Sequence, residues 1–169
     1  FGGKIRVTWV APTGATGFKV FRTAPGGAEA ELATIASATT LFYDDFAVEP
    51  AASYAYRVRA IVAPGVSGFS AADTGWRTTA APTNVEASRG TFNDKVRVTW
   101  TATTAATGYK VFRAEGTATP VQIGTISDGA TTLFDDTTAA IVRSYTYTVQ
   151  SVCALGNGLT SAGVTGFRA

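Results

Sequence analysis

The sequence predicts an all-β protein built from two tandem antiparallel sandwiches, and three observations support this. The chain repeats itself at an offset of 91 residues, since segment 4–9 recurs as 95–100 and Trp9 recurs as Trp100. Apolar and polar side chains alternate with a period of two, which is typical of strands. Turns rich in Pro and Gly, such as 24–27, separate these runs, and no segment shows helical periodicity.

The repeat divides the chain into two modules. Segment 17–22 recurs as 108–113 at the same offset, so we predict modules at residues 1–78 and 79–169. The second module begins with an additional strand at 81–87, which has no counterpart in the first. We therefore predict that the first sandwich lacks its first strand. Either a preceding repeat of a longer chain or a neighbouring molecule would supply that strand.

Alternation along the strands, taken in chain order, identifies the predicted core. The inward positions fall on the runs 5–9 and 54–62 and on their repeats. Large aromatic side chains dominate sandwich cores, and a free thiol behaves there as a small hydrophobe. The predicted core residues are Trp9, Tyr54, Tyr56, Trp100, Tyr145, Tyr147 and Cys153. Tyr54 and Tyr145 each stand two residues before another inward aromatic, which is the spacing of a tyrosine corner.

The order of these features resembles bacterial fibronectin type III modules. In the second module, 82–85 matches the first strand, 96–100 the second and 108–113 the third; Asp135-Asp136 and 145–149 follow. The resemblance covers essentially the whole chain. It implies two tandem seven-stranded immunoglobulin-like sandwiches, the first without its first strand. It also implies a role in spacing domains, in adhesion or alongside secreted hydrolases.

Composition argues against most kinds of enzyme. The 169 residues are 46% hydrophobic and 15% charged, with a formal charge of +2, no histidine and the single cysteine Cys153. This excludes disulfides within the chain, Cys/His zinc sites and histidine-based triads. No Lys/Arg run indicates nucleic-acid binding, and no apolar stretch reaches the roughly 18 residues of a membrane helix. We therefore expect neither enzymatic activity, cofactor, nucleic-acid partner nor direct membrane insertion.

Two pairs of adjacent carboxylates are the nearest approach to a metal site. They are Asp44-Asp45 and Asp135-Asp136. Successive strand residues point to opposite faces, so neighbours rarely chelate one ion, and calcium needs more oxygen ligands than the nearby sequence offers. Hydrogen bonding of aspartate side chains to turn amides is the preferred interpretation, and no metal site is predicted.

The outward-facing residues of the runs 18–22 and 54–62 predict a candidate interaction face. With Phe18 and Val20 inward, an apolar ring and three cations share the outer face of the first module; they are Lys19, Phe21, Arg57 and Arg59. In the second module the corresponding positions keep Lys110 and Phe112 but replace both arginines. The alternative is a solvated face on which arginine stems cover the phenyl ring.

Together these features favour a non-catalytic structural repeat of a secreted or surface-anchored bacterial protein, such as a stalk, an adhesin or a filament subunit. Its expected location is extracellular or at the cell surface. Its expected partners are further copies of the same repeat in a longer chain or polymer, and surface glycans. The alternative is an accessory carbohydrate-binding or spacer module of a secreted polysaccharide-degrading enzyme. The segment 78–83, which contains Pro82 but no Gly or Ser, is predicted to couple the modules semi-rigidly.

Overall fold

The computed structural model describes residues 3–169. Phe1 and Gly2, where the first predicted module begins, lie outside this range. The described chain consists of strands joined by turns and contains no helix, so the all-β prediction is confirmed. It separates into two compact units that divide between Arg77 and Thr78, one residue before the predicted boundary. We refer to them as unit 1 and unit 2.

Unit 1 contains two antiparallel sheets. β1 pairs with β4 in one sheet, and the order β3-β2-β5-β6 forms the other, in which β7 also pairs with β5. The strands are β1 (Ile5–Thr8), β2 (Ala15–Thr23), β3 (Glu29–Ile35), β4 (Phe42–Asp45), β5 (Ser53–Val62), β6 (Gly65–Val66) and β7 (Asp73–Trp76).

Unit 2 repeats this arrangement with one strand more. The sheets have the orders β12-β9-β8 and β11-β10-β13-β14, and β15 also pairs with β13, so the last strand of the sandwich runs in two pieces. β8 has no counterpart among the described residues of unit 1. The strands are β8 (Thr83–Ala87), β9 (Val96–Thr101), β10 (Gly108–Glu115), β11 (Val121–Ile126), β12 (Leu133–Asp136), β13 (Tyr145–Cys153), β14 (Gly156–Thr160) and β15 (Val164–Gly166).

Period-two alternation places the core side chains. Along β13, every second residue from Tyr145 to Cys153 is buried and the residues between them are half-buried. β9 alternates in the same way and buries Val96, Val98 and Trp100. Because successive side chains on a strand point to opposite faces, every second side chain points toward the other sheet of the sandwich. The cores of both sandwiches lie between these inward faces.

Six of the seven predicted core residues are buried, and Trp9 is the exception. Its ring packs 5.2 Å from that of Phe18, as the ring of Trp100 packs 5.1 Å from that of Tyr109. Trp100 is only 5% exposed, whereas Trp9 is half-buried. In unit 2, β8 lies beside β9, but no described strand covers the corresponding edge of β1. The prediction of a buried Trp9 is therefore wrong, because alternation gives the direction of a side chain and not whether a neighbouring strand covers it.

The predicted linker packs in part against unit 2. Thr79 is fully buried there. Its hydroxyl lies 2.9 Å from that of Ser151, and its carbonyl accepts a hydrogen bond from the Leu159 amide at 3.1 Å. The segment before β8 thus packs within unit 2 and is not a free connection.

Candidate functional site

The second aspartate of each pair belongs to a buried network. Asp136, at the end of β12, accepts hydrogen bonds from Arg113 Nη1 at 2.7 Å and from the Tyr147 hydroxyl at 2.9 Å. The Thr138 amide and hydroxyl donate to its other oxygen at 3.0 and 2.7 Å. The amide bond is the expected turn cap, and Ala47 donates the same bond to Asp45. The unit 1 network consists of Asp45, Arg22 and Tyr56.

Burial and hydrogen bonding fix the charge state of this network. Burial raises the pKa of Asp136, but bonds from Thr138, Arg113 and Tyr147 outweigh it and hold that pKa below its usual value. Burial and the bond to the carboxylate raise the pKa of Tyr147 well above its usual value, and the pKa of Tyr56 rises for the same reasons. The phenols stay neutral and Asp136 stays ionised at neutral pH, which suits a structural contact.

The first aspartate of each pair is held by cations on the outer face. Asp135 accepts two hydrogen bonds from Arg97, at 2.7 and 2.8 Å, and lies 3.0 Å from Lys95 Nζ. The Arg97 bonds, with that of Lys95, lower the pKa of Asp135 to about 2. In unit 1, Asp44 pairs in the same way with Lys4 and Arg6. Across residues 3–169, no three His, Cys, Asp or Glu side chains are grouped so that they could hold a metal ion.

Both predicted tyrosine corners bind the backbone five residues upstream. The Tyr54 hydroxyl accepts a hydrogen bond from the Glu49 amide at 2.9 Å, and the Tyr145 hydroxyl accepts one from Ala140 at 3.3 Å. Both side chains are buried. These hydroxyls therefore hold the loop before β5 and β13 in place.

The candidate interaction face of unit 1 forms on β2 and β5. Lys19 lies directly opposite Arg59 in the strand register, and Phe21 lies opposite Arg57. Cross-strand neighbours point to the same side of a sheet, so the four side chains share one face. All four are half-buried.

Phe69 completes this face, and the alternation analysis missed it. Its ring lies 4.8 Å from the guanidinium of Arg57 and 4.7 Å from that of Arg59. It meets the Phe21 ring edge-on, with centroids 5.0 Å apart and an interplanar angle of 78°. Phe69 lies in the loop after β6, where no strand periodicity marks a side chain's direction. We use the term aromatic face for Lys19, Phe21, Arg57, Arg59 and Phe69.

The cations of the aromatic face have partners within unit 1. Lys19 Nζ lies 2.9 Å from a carboxylate oxygen of Glu31, and this bond, with one from Thr34, lowers the pKa of Glu31. Arg59 Nε donates to the Ser67 carbonyl at 2.7 Å, and Arg57 lies 3.8 Å from Glu29. The face is therefore less exposed and less positive than the sequence indicates.

Unit 2 carries a reduced form of the aromatic face. Lys110 lies opposite Gln150 and Phe112 opposite Thr148, so neither arginine is present. The position that matches Phe69 is Thr160. The stacked arrangement of cations and rings is thus specific to unit 1.

Solved structures show what this architecture resembles. The chain is similar to a segment of two fibronectin type III domains from chicken tenascin, with a TM-score of 0.65 and 17% identity over 97% of this chain and 91% of that one. The described residues therefore have the fold of tandem fibronectin type III domains.

Two further structures show weaker likeness. The FN1–FN3 domains of chicken CNTN1 match with a TM-score of 0.48 and 16% identity, over 99% of this chain and 63% of that one. An Fn3-like protein from Clostridium thermocellum matches with a TM-score of 0.47 and 27% identity, over 54% and 94% of the two chains. No protein-family model and no curated protein matches the sequence.

The described part of the chain forms no helix long and apolar enough to cross a membrane.

Proposed function

We propose that this chain is a non-catalytic structural repeat of a secreted or cell-surface protein, serving as a stalk, an adhesin segment or a filament subunit. The observation that carries the proposal is the duplication of the main scaffold contacts. The buried Asp136, Arg113 and Tyr147 network recurs in unit 1, as do the tyrosine corners. The ion pairs of Asp135 on the outer face recur at Asp44.

Duplicated polar residues of this kind stabilise each sandwich. Arg113 and Tyr147 are committed to Asp136, and Arg97 and Lys95 to Asp135. A chain that repeats its internal polar contacts and varies its surface is suited to spacing other domains. The likeness to two consecutive domains of tenascin supports the same architecture, although it extends only to the fold.

The alternative role is that of an accessory carbohydrate-binding module, and exposed aromatic side chains such as Phe69 and Trp76 support it. Phe69 is 39% exposed and Trp76 41% exposed. Sugar rings stack on flat aromatic surfaces, but the Phe21 and Phe69 rings are nearly perpendicular. That geometry favours the structural role.

A glycan-binding assay distinguishes the two roles. The 169-residue protein is passed over immobilised polysaccharides, with Phe69→Ala and Trp76→Ala variants alongside. A structural repeat is expected to show no retention above that of an unrelated protein. Retention that either variant abolishes would overturn the structural proposal in favour of glycan binding.

A further inference from the structure

The large sheet of unit 2 has a free edge at β11. In the order β11-β10-β13-β14, β11 is an end strand, and no strand in the described part of the chain pairs with its outer side. The opposite end of the sheet is partly closed, since the Leu159 amide of β14 donates to the Thr79 carbonyl at 3.1 Å. An unpaired edge presents backbone donors and acceptors to which another strand can bind, so proteins usually protect it.

The matching edge of unit 1 is protected by charge. Glu29 and Glu31 lie on β3, the end strand of the equivalent sheet, and both are exposed. Glu31 lies 2.9 Å from Lys19 Nζ and accepts a hydrogen bond from the Thr34 hydroxyl at 2.7 Å. A strand bound along this edge would take water away from these carboxylates, and removing a charge from water is costly. The two glutamates therefore keep other strands away from β3.

β11 lacks this protection. At the offset of 91 residues, Glu29 corresponds to Pro120 and Glu31 to Gln122. The strand carries no charged side chain from its first residue to its last. Both end strands have a bulge at the same place, so charge distinguishes the two edges, and the course of the backbone does not.

The outward and inward residues of β11 form a definite order. Gln122 and Thr125 lie opposite outward residues of β10, and Gln122 Nε2 donates to the Thr125 hydroxyl at 2.9 Å. Ile123 and Ile126 pack against the hydrophobic core, and Gly124 lies opposite a buried residue of β10. Two consecutive residues therefore face inward at the bulge, with one outward residue on each side of them.

The first residue of the strand also faces inward. Val121 lies opposite Arg113, whose Nη1 donates to the buried Asp136 at 2.7 Å. Cross-strand neighbours share a face, so Val121 is on the inward side, where it is 65% exposed at the edge. The order along β11 is thus in, out, in, in, out, in, which is the same in both directions.

We propose that β11 is a self-association site, at which a second copy of this chain adds its own β11 in the antiparallel direction, about a two-fold axis between Ile123 and Gly124. Gln122 of one copy then lies opposite Thr125 of the other. Outward residues meet outward residues and inward residues meet inward residues, and neither strand brings a charge to the contact. The inference rests on the proposed structural role and adds to it a lateral contact between copies.

The size of the contact makes it weak. Pro120 has no amide to donate, so pairing is limited to the six residues of β11. One such strand from each copy buries less than the roughly 800 Å² per partner that is typical of stable complexes. The contact therefore gains strength where several copies are held close together.

Sedimentation equilibrium of the 169-residue protein, carried to about 1 mM, tests the association. We expect a dimer whose fraction rises with concentration. Gln122→Glu places a carboxylate where unit 1 has Glu31, and it should weaken the dimer by about 10-fold. The matched control is Thr160→Glu, which adds the same charge at an exposed position of β14, the opposite end strand of the sheet. It should leave the dimer unchanged.

Disulfide trapping tests the register. Copies carrying Gln122→Cys are mixed with copies carrying Thr125→Cys, both with Cys153→Val. Directly opposite residues have Cβ atoms about 4.5–5.5 Å apart, which is close enough for a disulfide to form with a small adjustment. We expect linked dimers to form about 10-fold faster than in a control mixture of Glu31→Cys and Thr34→Cys copies, the matching positions of unit 1.

Three results would overturn the proposal. They are a chain that stays monomeric at about 1 mM, a Gln122→Glu variant that associates as tightly as the native chain, and equal rates of trapping in the two cysteine mixtures. Each of them leaves the structural role intact, since that role depends on the glycan-binding assay.

Discussion

At the residue scale, Asp135 and Asp136 show how position on a strand decides how much a carboxylate contributes to the stability of the fold. Asp135 pairs with Arg97 and Lys95 on the outer face, where water and salt screen the interaction. Asp136 is 2% exposed and holds Arg113 in the sandwich. Removing one partner of a buried pair leaves an unpaired charge, which is far more costly than losing an exposed pair.

Alanine substitution of the two neighbours is expected to separate these effects. Asp136→Ala should lower the free energy of unfolding of unit 2 by about 3–5 kcal/mol, whereas Asp135→Ala should lower it by about 1–2 kcal/mol, because solvent screens its ion pairs. Urea unfolding monitored in unit 2 measures both. Equal losses at the two positions would show that the burial difference has no energetic consequence.

Acid is expected to weaken unit 2 through Asp135. Its pKa is about 2 in the folded chain, below the value of about 3.9 in unfolded protein. A lowered pKa contributes stability that is complete above about pH 4 and is lost as the pH falls toward about 2. Unfolding free energies between pH 2 and pH 5 should therefore fall more steeply for the native chain than for Asp135→Asn. If the unfolding free energies of the two proteins change in parallel with pH, the lowered pKa of Asp135 in the folded chain is contradicted.

Sequence patterns predicted some residue-level features and not others. The turn cap of Asp136 follows from its position at a strand end, and the tyrosine corners follow from their spacing. The placement of Phe69 between Arg57 and Arg59 does not, because it depends on how a loop folds back over β5. The ion pairs of Lys19 and Arg57 likewise depend on the register of β2 with β3 and β5.

At the element scale, β1 and β9 show the limit of alternation. Trp100 in β9 and Trp9, which directly follows β1, both point toward the interior, and the pattern predicts the inward side correctly for each. How deeply the ring is buried depends on the neighbouring strand, which a single strand's sequence does not reveal. Trp100 is covered in unit 2, where β8 is present, and Trp9 lines an open cavity of unit 1.

Truncating the two tryptophans is expected to give unequal losses. Trp100→Ala should cost about 3–5 kcal/mol of unfolding free energy, and Trp9→Ala about 1–2 kcal/mol, because less apolar surface is buried at Trp9. Acrylamide should also quench Trp9 fluorescence more than that of Trp100, as measured in single-tryptophan variants. A Trp9 as protected as Trp100 would show that β1 has no open edge.

At the scale of the whole molecule, the chain consists of two copies of the same sandwich fold. The internal repeat made the all-β tandem fold predictable from sequence. The surface could not be predicted as well, because it is where the copies differ: unit 1 has the aromatic face and unit 2 has Thr148, Gln150 and Thr160 in the corresponding places. Internal contacts that are the same in both units, together with surfaces that differ from one unit to the other, fit the proposed structural role.

The most direct test of that role is to pull the 169-residue chain from its two ends. Each sandwich should unfold as a separate step, because each unit has its own core and its own buried aspartate network. At about 3.6 Å per residue, residues 1–77 extend to about 28 nm and 78–169 to about 33 nm. We predict two steps whose lengths approach these values, with the longer belonging to unit 2. A single cooperative step, or extension with no resistance to force, would contradict the account of two independently folded repeats with a structural role.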